Sequence, residues 1–363
     1  MAFKKKNDYV IKSHILVEYI GYENHVDIPD DIIGIGENAF ESCFSVKSIF
    51  IPKSVVKIAD NAFDFCSELT KITVDETNPA YSSEDGVLFN KNKTKIIKYP
   101  DRKRGGIYIV PNSVSEIGGS AFFDCWTLKT INIHAGVSKI HTNALSCYSK
   151  LTEIYVDKEN PVYISENGIL FNKAKTVLIQ YPAGKRSAVY AIPDGVVRIE
   201  EFAFCSCRKL KGILIPESVT EIGKWAFENS GLTDIVIPKS LILIEDGAFN
   251  GSKKLKKIRV DESNPAFSSE DGVLFNKEKS ELIKYPEGCK NKTYNIPDGV
   301  IHLKKEAFFG CENLKTLSIP ESVTEIENDS FRWCFELSTI LGRENHPAWK
   351  FCGTGWYDKY MDS

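Results

Sequence analysis

No stretch of this 363-residue chain approaches the ~20 consecutive apolar residues that cross a bilayer, so no membrane insertion is expected. The opening lacks a leader's apolar core, because Lys12, His14 and Glu18 break the stretch from Tyr9 to Ile20. The expected location is cytoplasmic for the sequence as it stands, with secretion or the cell surface as the alternative where a signal peptide has been removed. Charge of one sign is missing too. There are 46 Lys and Arg against 49 Asp and Glu, a net −3, which gives no electrostatic case for nucleic acid. Histidine is scarce, at six residues, and His134 and His141, seven apart, have no companion carboxylate in a metal or triad pattern. No phosphate-binding glycine loop, HExxH or GxSxG occurs. The expectation is a chain that is not an enzyme, with no catalytic residue, no metal and no cofactor.

What is present is repetition. Ala-Phe recurs at Ala39-Phe40, Ala62-Phe63, Ala121-Phe122, Ala203-Phe204, Ala226-Phe227, Ala248-Phe249 and Ala307-Phe308, with Ala144-Leu145 and Ser330-Phe331 in the same frame. The steps are 23 residues, once 22, and three times 59, which is 23 plus 36. Ile-Pro keeps the same beat from Ile28-Pro29 to Ile319-Pro320. A unit of 22–23 residues cannot bury its own apolar face and must stack on its neighbours. Within one unit, Pro216 lacks an N–H and ends a strand, Ala226 and Phe227 turn into the core, and Leu232, Ile235 and Ile237 build the next strand with Val236 facing out. The predicted fold is a β-rich repeat solenoid, a leucine-rich-repeat-like right-handed coil with one parallel sheet, short helical turns and three β-hairpin inserts. Its predicted parts are a capping hairpin over 1–27, nine units over 28–340, and a C-terminal cap over 341–363 with Trp349, Phe351 and Trp356.

The 36-residue inserts lie at about 75–110, 157–191 and 261–295. Each opens on Asn-Pro (Asn78, Asn160, Asn264) and closes on Tyr-Pro (Tyr99, Tyr181, Tyr285). Between these, DGVLFNK and its variants read as a hairpin beside the coil, in which Asp85-Gly86 enters the strand Val87 to Phe89 and Ile96 to Tyr99 returns. Gly86 and Gly168 are expected to be turn residues with positive φ.

Six of the ten cysteines share one repeat slot: Cys43, Cys66, Cys125, Cys207, Cys311 and Cys334. That slot elsewhere holds Tyr148, Ser230 and Ser252, so it does not require disulfides. Stacked units ~4.8 Å apart also sit wide of disulfide geometry. The slot reads as a small buried apolar position.

The units AFESC, AFDFC, AFFDC and AFFGC, joined to IPESVTEI and IPDGV, resemble the BspA-like leucine-rich repeat family, in its bacterial type with hairpin inserts. The likeness spans roughly residues 9 to 340. It implies a solenoid that binds proteins or surfaces, often on secreted or cell-surface proteins of gut or oral bacteria, and implies no enzyme activity.

Function is therefore sought on the outward strand positions, since exposed apolar patches mark interaction surfaces. Phe50, Tyr155, Leu214, Val236 and Arg259 are the predicted partner-binding residues. Leu214 and Val236, on consecutive coils, are expected to touch sideways. The expected role is a non-enzymatic scaffold for a protein partner of unknown identity. The alternative is a surface adhesin for a host protein or glycan.

Overall fold

A computed structural model describes residues 8–146 and 150–342. The C-terminal tryptophans, Tyr148 and most of the predicted cap over 341–363 lie outside the described residues. The chain divides into two compact units, Met1–Lys185 and Arg186–Ser363. Each is a β-solenoid.

In the first unit, His25–Asp27, Ser48–Ile51 and Lys71–Val74 pair in parallel, with Val26, Ile49 and Ile72 in one register row and all buried. Ile107–Ile109, Thr130–Ile133 and Glu153–Val156 repeat this arrangement. In the second unit the same ladder appears as Val189–Ala191 with Gly212–Leu214, Asp234–Ile237 with Lys257–Val260, and Thr293–Asn295 with Thr316–Ser318 and Thr339–Leu341. The alternating pattern puts one side chain in the core and its neighbours outside.

The single sheet expected is joined by a second parallel ladder. Two-residue strands from the TEI-type segments pair coil to coil, as in Gly34–Ile35 with Lys57–Ile58, Glu116–Ile117 with Lys139–Ile140, and Glu221–Ile222 with Leu243–Ile244. The short helical turns expected at Ala-Phe are absent, and the described residues contain no α-helix. The cause is local. Residues with positive φ recur four apart around the Ala-Phe pair, at Asn38 and Ser42, Ser120 and Asp124, Trp225 and Asn229, and Glu306 and Gly310. A left-handed residue every fourth position interrupts any right-handed helical run. The turn instead hydrogen-bonds along the stack: Phe40 N–H donates to Ala62 O at 2.9 Å, Phe122 to Ala144 at 2.8 Å and Phe204 to Ala226 at 2.7 Å.

The rings stack inside each unit. Tyr19, Phe40 and Phe63 lie 5.5 Å apart in succession, and Phe204, Phe227 and Phe249 follow at 5.1 and 5.7 Å. Tyr285, Phe308 and Phe331 form another run at 5.4 Å.

The inserts belong to the coil rather than standing beside it. In the first, Tyr81–Glu84 pairs antiparallel with Val87–Asn90, which pairs antiparallel with Lys95–Lys98. Lys95–Lys98 then joins the second ladder, Lys95 opposite Glu116 and Ile96 opposite Ile117. Tyr99 takes the Phe position, donating its N–H to Ala121 O at 2.7 Å and stacking on Phe122 at 5.4 Å. A 59-residue step is therefore two 23-residue coils plus a 13-residue excursion. Asp85-Gly86 does not enter the strand. Both residues have positive φ, 48° and 76°, and they form the two-residue turn between the excursion's strands. Gly86 and Gly168 do carry positive φ.

A buried asparagine anchors each excursion. Asn78 Nδ2 donates to Pro52 O and Val55 O of the preceding coil, while its Oδ1 accepts from Ala80 and Tyr81 N–H. Asn160 and Asn264 repeat the pattern, the latter with Pro238, Leu241, Ala266 and Phe267. All of the amide's strong hydrogen-bonding capacity is used.

Candidate interaction surface

Strand register decides which outward side chains are neighbours. In the first unit Asp27, Phe50 and Thr73 form one row, and Ile109, Asn132 and Tyr155 another. In the second unit Ala191 faces Leu214, and Val236 faces Arg259. Tyr155 is 54% exposed, Leu214 63% and Val236 49%. Phe50 is half-buried and presents only part of its ring. Arg259 is exposed and sits 3.7 Å from Asp234 on the neighbouring strand. Ile107, Ile109 and Val189, outside the predicted five, are among the most exposed aliphatic side chains.

Leu214 and Val236 are not cross-strand partners. The sheet is interrupted between their strands. The coil between them is 22 residues long rather than 23, and its turn, Ser230-Gly231, is where the residue is lost. Thr233 N–H still donates to Lys211 O at 3.0 Å, and Ile213 and Ile235 both face the core, so the inward and outward faces are kept across the interruption.

Beneath the surface lie charges that sequence periodicity missed. Lys98 and Asp101 are 1% and 0% exposed and 3.0 Å apart. Lys98 Nζ also donates to Phe123 O at 3.1 Å, and Asp64 accepts from Ser120 Oγ at 3.0 Å. Burial pushes Asp101 up to about 7 against the pull of Lys98, and pushes Asp124 up to about 6. Asp64 moves upward for the same reason. One ammonium faces three buried carboxylates, whose charged forms burial disfavours. In the second unit Lys284 takes the Lys98 place, with Glu287 at 3.3 Å and Asn250 Oδ1 at 2.8 Å. The visible signal was the four residues around proline: Lys-Tyr-Pro-Asp, Gln-Tyr-Pro-Ala and Lys-Tyr-Pro-Glu. Lysine accompanies a carboxylate, and where Ala183 removes it the lysine becomes Gln180.

The repeat cysteines are hydrogen-bond donors, which refines the apolar reading. Cys66 Sγ donates to Phe40 O at 3.1 Å and Cys334 Sγ to Phe308 O at 2.8 Å. Ser252 Oγ, in the same slot, donates to Phe227 O at 2.8 Å. The described cysteines are free thiols, and burial raises Cys66, Cys125, Cys207 and Cys311 well above the ordinary thiol range. The described residues hold no cluster of three or more His, Cys, Asp or Glu suited to a metal.

Residues 18–103, 107–184, 186–291 and 284–346 match the model of the BspA type leucine rich repeat region, in six copies. A search of curated proteins finds no match. Among solved structures, a leucine-rich repeat protein from Eubacterium ventriosum is similar at 22% identity and TM-score 0.49, over 90% of this chain and 77% of its own. A leucine rich cell surface protein from Faecalibacterium prausnitzii is similar at 23% identity and TM-score 0.38, over 98% of both chains. The pneumococcal vaccine antigen PcpA matches at 22% and 0.47, over 72% of this chain and 67% of its own. With its phased coils and a family model that covers nearly the whole described chain, this protein belongs to the BspA-type leucine-rich repeat family.

Proposed function

We propose that the chain is a non-enzymatic scaffold that binds a protein through the outward face of its strand ladders. The observation that carries this reading is the exposure of apolar side chains in rows set by the register. Ile109 and Tyr155 flank Asn132 in the first unit, and in the second Leu214 stands beside Ala191 and Val236 beside Arg259. A single exposed apolar side chain is ordinary, whereas aligned rows on a rigid ladder form a contact surface. Arg259 stands beside Val236, its guanidinium 3.7 Å from Asp234, and Phe50 offers a half-buried ring in a separate row with Asp27 and Thr73.

A photo-crosslinking residue placed at Leu214 or Tyr155 is expected to trap one discrete partner protein. The same residue at an exposed position on the Ala-Phe turn, such as Phe44, is expected to trap none. Equal labelling at both places would remove the reading. The adhesin reading uses the same face for a host protein or glycan. The exposed Tyr155 ring beside the Asn132 amide favours it, because a flat ring with a neighbouring amide suits a sugar. Binding to a glycan array that Tyr155→Ala abolishes would support that form.

A further inference from the structure

The three inserts share one framework, and a single position near the end of each treats the space beside the Asp-Gly turn differently. In the first insert Lys103, four residues after Tyr99, reaches back to the turn. Its ammonium lies 2.7 Å from Asp85, and its side chain is only 12% exposed, so it fills the space. In the second, Lys185 fills the corresponding place, donating to Thr152 O and pairing with Glu153 at 3.5 Å. In the third, the same position is Cys289. The side chain is shorter, and burial raises its thiol above the ordinary range, so it supplies no charge. Asp271, the counterpart of Asp85, keeps the same left-handed turn geometry, with φ of 52° against 48°, but has no ion-pair partner among the described residues.

Where the lysine is missing, a cleft of about 490 Å³ opens. Tyr285 and Cys289 lie in its wall, with Asp271 at the edge. Tyr285 is 2% exposed, and its hydroxyl lies against the Cys289 thiol, so both face one wall of the cleft. Past Asp271 and Tyr294 the cleft continues into a second hollow of about 520 Å³ that adds Glu270 and Asp298. The volume is in the range of small-molecule sites.

We propose that this cleft accepts an alkylammonium group, the side chain of a lysine presented by a partner chain, in the position that the protein's own lysine occupies in the first insert. The entering ammonium would pair with Asp271, and its methylenes would cover Tyr294. Two resident cations line the cleft, one of them, Arg259, where the first insert has Thr73. Lys257 has a counterpart, Lys71, that coexists with Lys103 in the first insert, and Arg259 leans toward Asp234 at 3.7 Å. The cleft borders the outward face and shares Arg259 with it, but the test below reads Asp271 and Cys289, which lie outside the predicted rows, so its failure and that of the scaffold face are distinguishable.

The test uses the full chain and saturation-transfer NMR with a blocked pentapeptide, Gly-Gly-Lys-Gly-Gly, at millimolar concentration. The expected result is binding by the lysine peptide and none by its norleucine analogue, with at least a tenfold loss in Asp271→Asn. Cys289→Lys, which rebuilds the first insert's plug, is expected to abolish binding with the melting temperature unchanged or raised. The melting temperature guards against a folding artefact. Norleucine binding equal to lysine, full binding by Cys289→Lys, or no binding of the lysine peptide would each overturn the proposal. Cadaverine binding tenfold more tightly than the peptide would overturn the partner-lysine source by assigning the cleft to a free diamine.

Discussion

The first and third inserts share DGVLFNK and Tyr-Pro, and they fold onto their coils by the same contacts, yet they enclose different chemistry. In the first, Lys98 faces Asp64, Asp101 and Asp124. In the third, Lys284 faces Glu287, with Asn250 where Asp64 stands and Gly310 where Asp124 stands. Outside, Lys103 closes one turn and Cys289 leaves the other open. The framework residues are held by burial and hydrogen bonding, so they repeat. The residues between them answer only to their immediate neighbours, so they diverge in matched sets.

The comparison breaks most severely at the buried lysines. Lys98→Met strands three carboxylates and is expected to cost about 3–5 kcal/mol in urea denaturation, the range for removing one partner of a buried pair. Lys284→Met is expected to cost a similar amount, because Glu287 and, through Asn250, Glu306 are buried in the same network. The double change Lys98→Gln with Asp101→Ala copies the second insert and is expected to recover part of that loss. A double variant no more stable than Lys98→Met would show that the covariation carries no energetic coupling.

Next in size are the asparagine anchors. Asn78→Ala and Asn264→Ala each leave two carbonyls and two N–H groups without their partner and are expected to cost about 2–4 kcal/mol. Because the two anchors have the same contacts, the costs are expected to match within about 0.5 kcal/mol. A clear difference would mean that the surrounding insert, not the anchor, sets the stability.

A smaller effect concerns pH. Asp124 is raised to about 6 in the folded state, above its unfolded value, so the folded state holds more protons between those two values. Stability is therefore fully present at low pH and lost as pH rises from about 4 through about 6. Asp124→Asn is expected to flatten the melting temperature across that window. An unchanged slope would assign the pH dependence to Asp101 or to Glu228, which burial raises to about 7 in the second unit. The smallest expected effect is at the outward rows. Leu214→Ser and Val236→Ser are expected to change stability by less than about 0.5 kcal/mol, as surface substitutions do. A larger loss would show that these side chains pack against the protein itself.

The repeat was legible because its signals answer to one cause each. Phe40, Phe63, Phe227 and Phe308 recur in phase because every coil needs a ring in the same buried slot. Three features were harder to read. Asp85-Gly86 is a strong hairpin signal, but the serine-rich partner strand Tyr81–Glu84 has no apolar alternation to mark it. The Ala-Phe turns look helical by composition, and only the backbone shows left-handed residues every four positions. The exposure of Tyr155, Leu214, Val236 and Arg259 was legible from strand alternation. The half-burial of Phe50 and the break between the strands of Leu214 and Val236 depend on neighbouring coils.

The sequence by itself determined the repeat, its phase, the inward faces and the family, because periodic burial imposes a periodic choice of residue. Only the tertiary structure decided that the inserts are coils, that Lys98 and Asp101 meet in the interior, and that Cys289 leaves an open space where Lys103 closes one. Those outcomes depend on which side chains lie opposite one another in adjacent coils, a relation between residues 20 to 60 positions apart that no local pattern records.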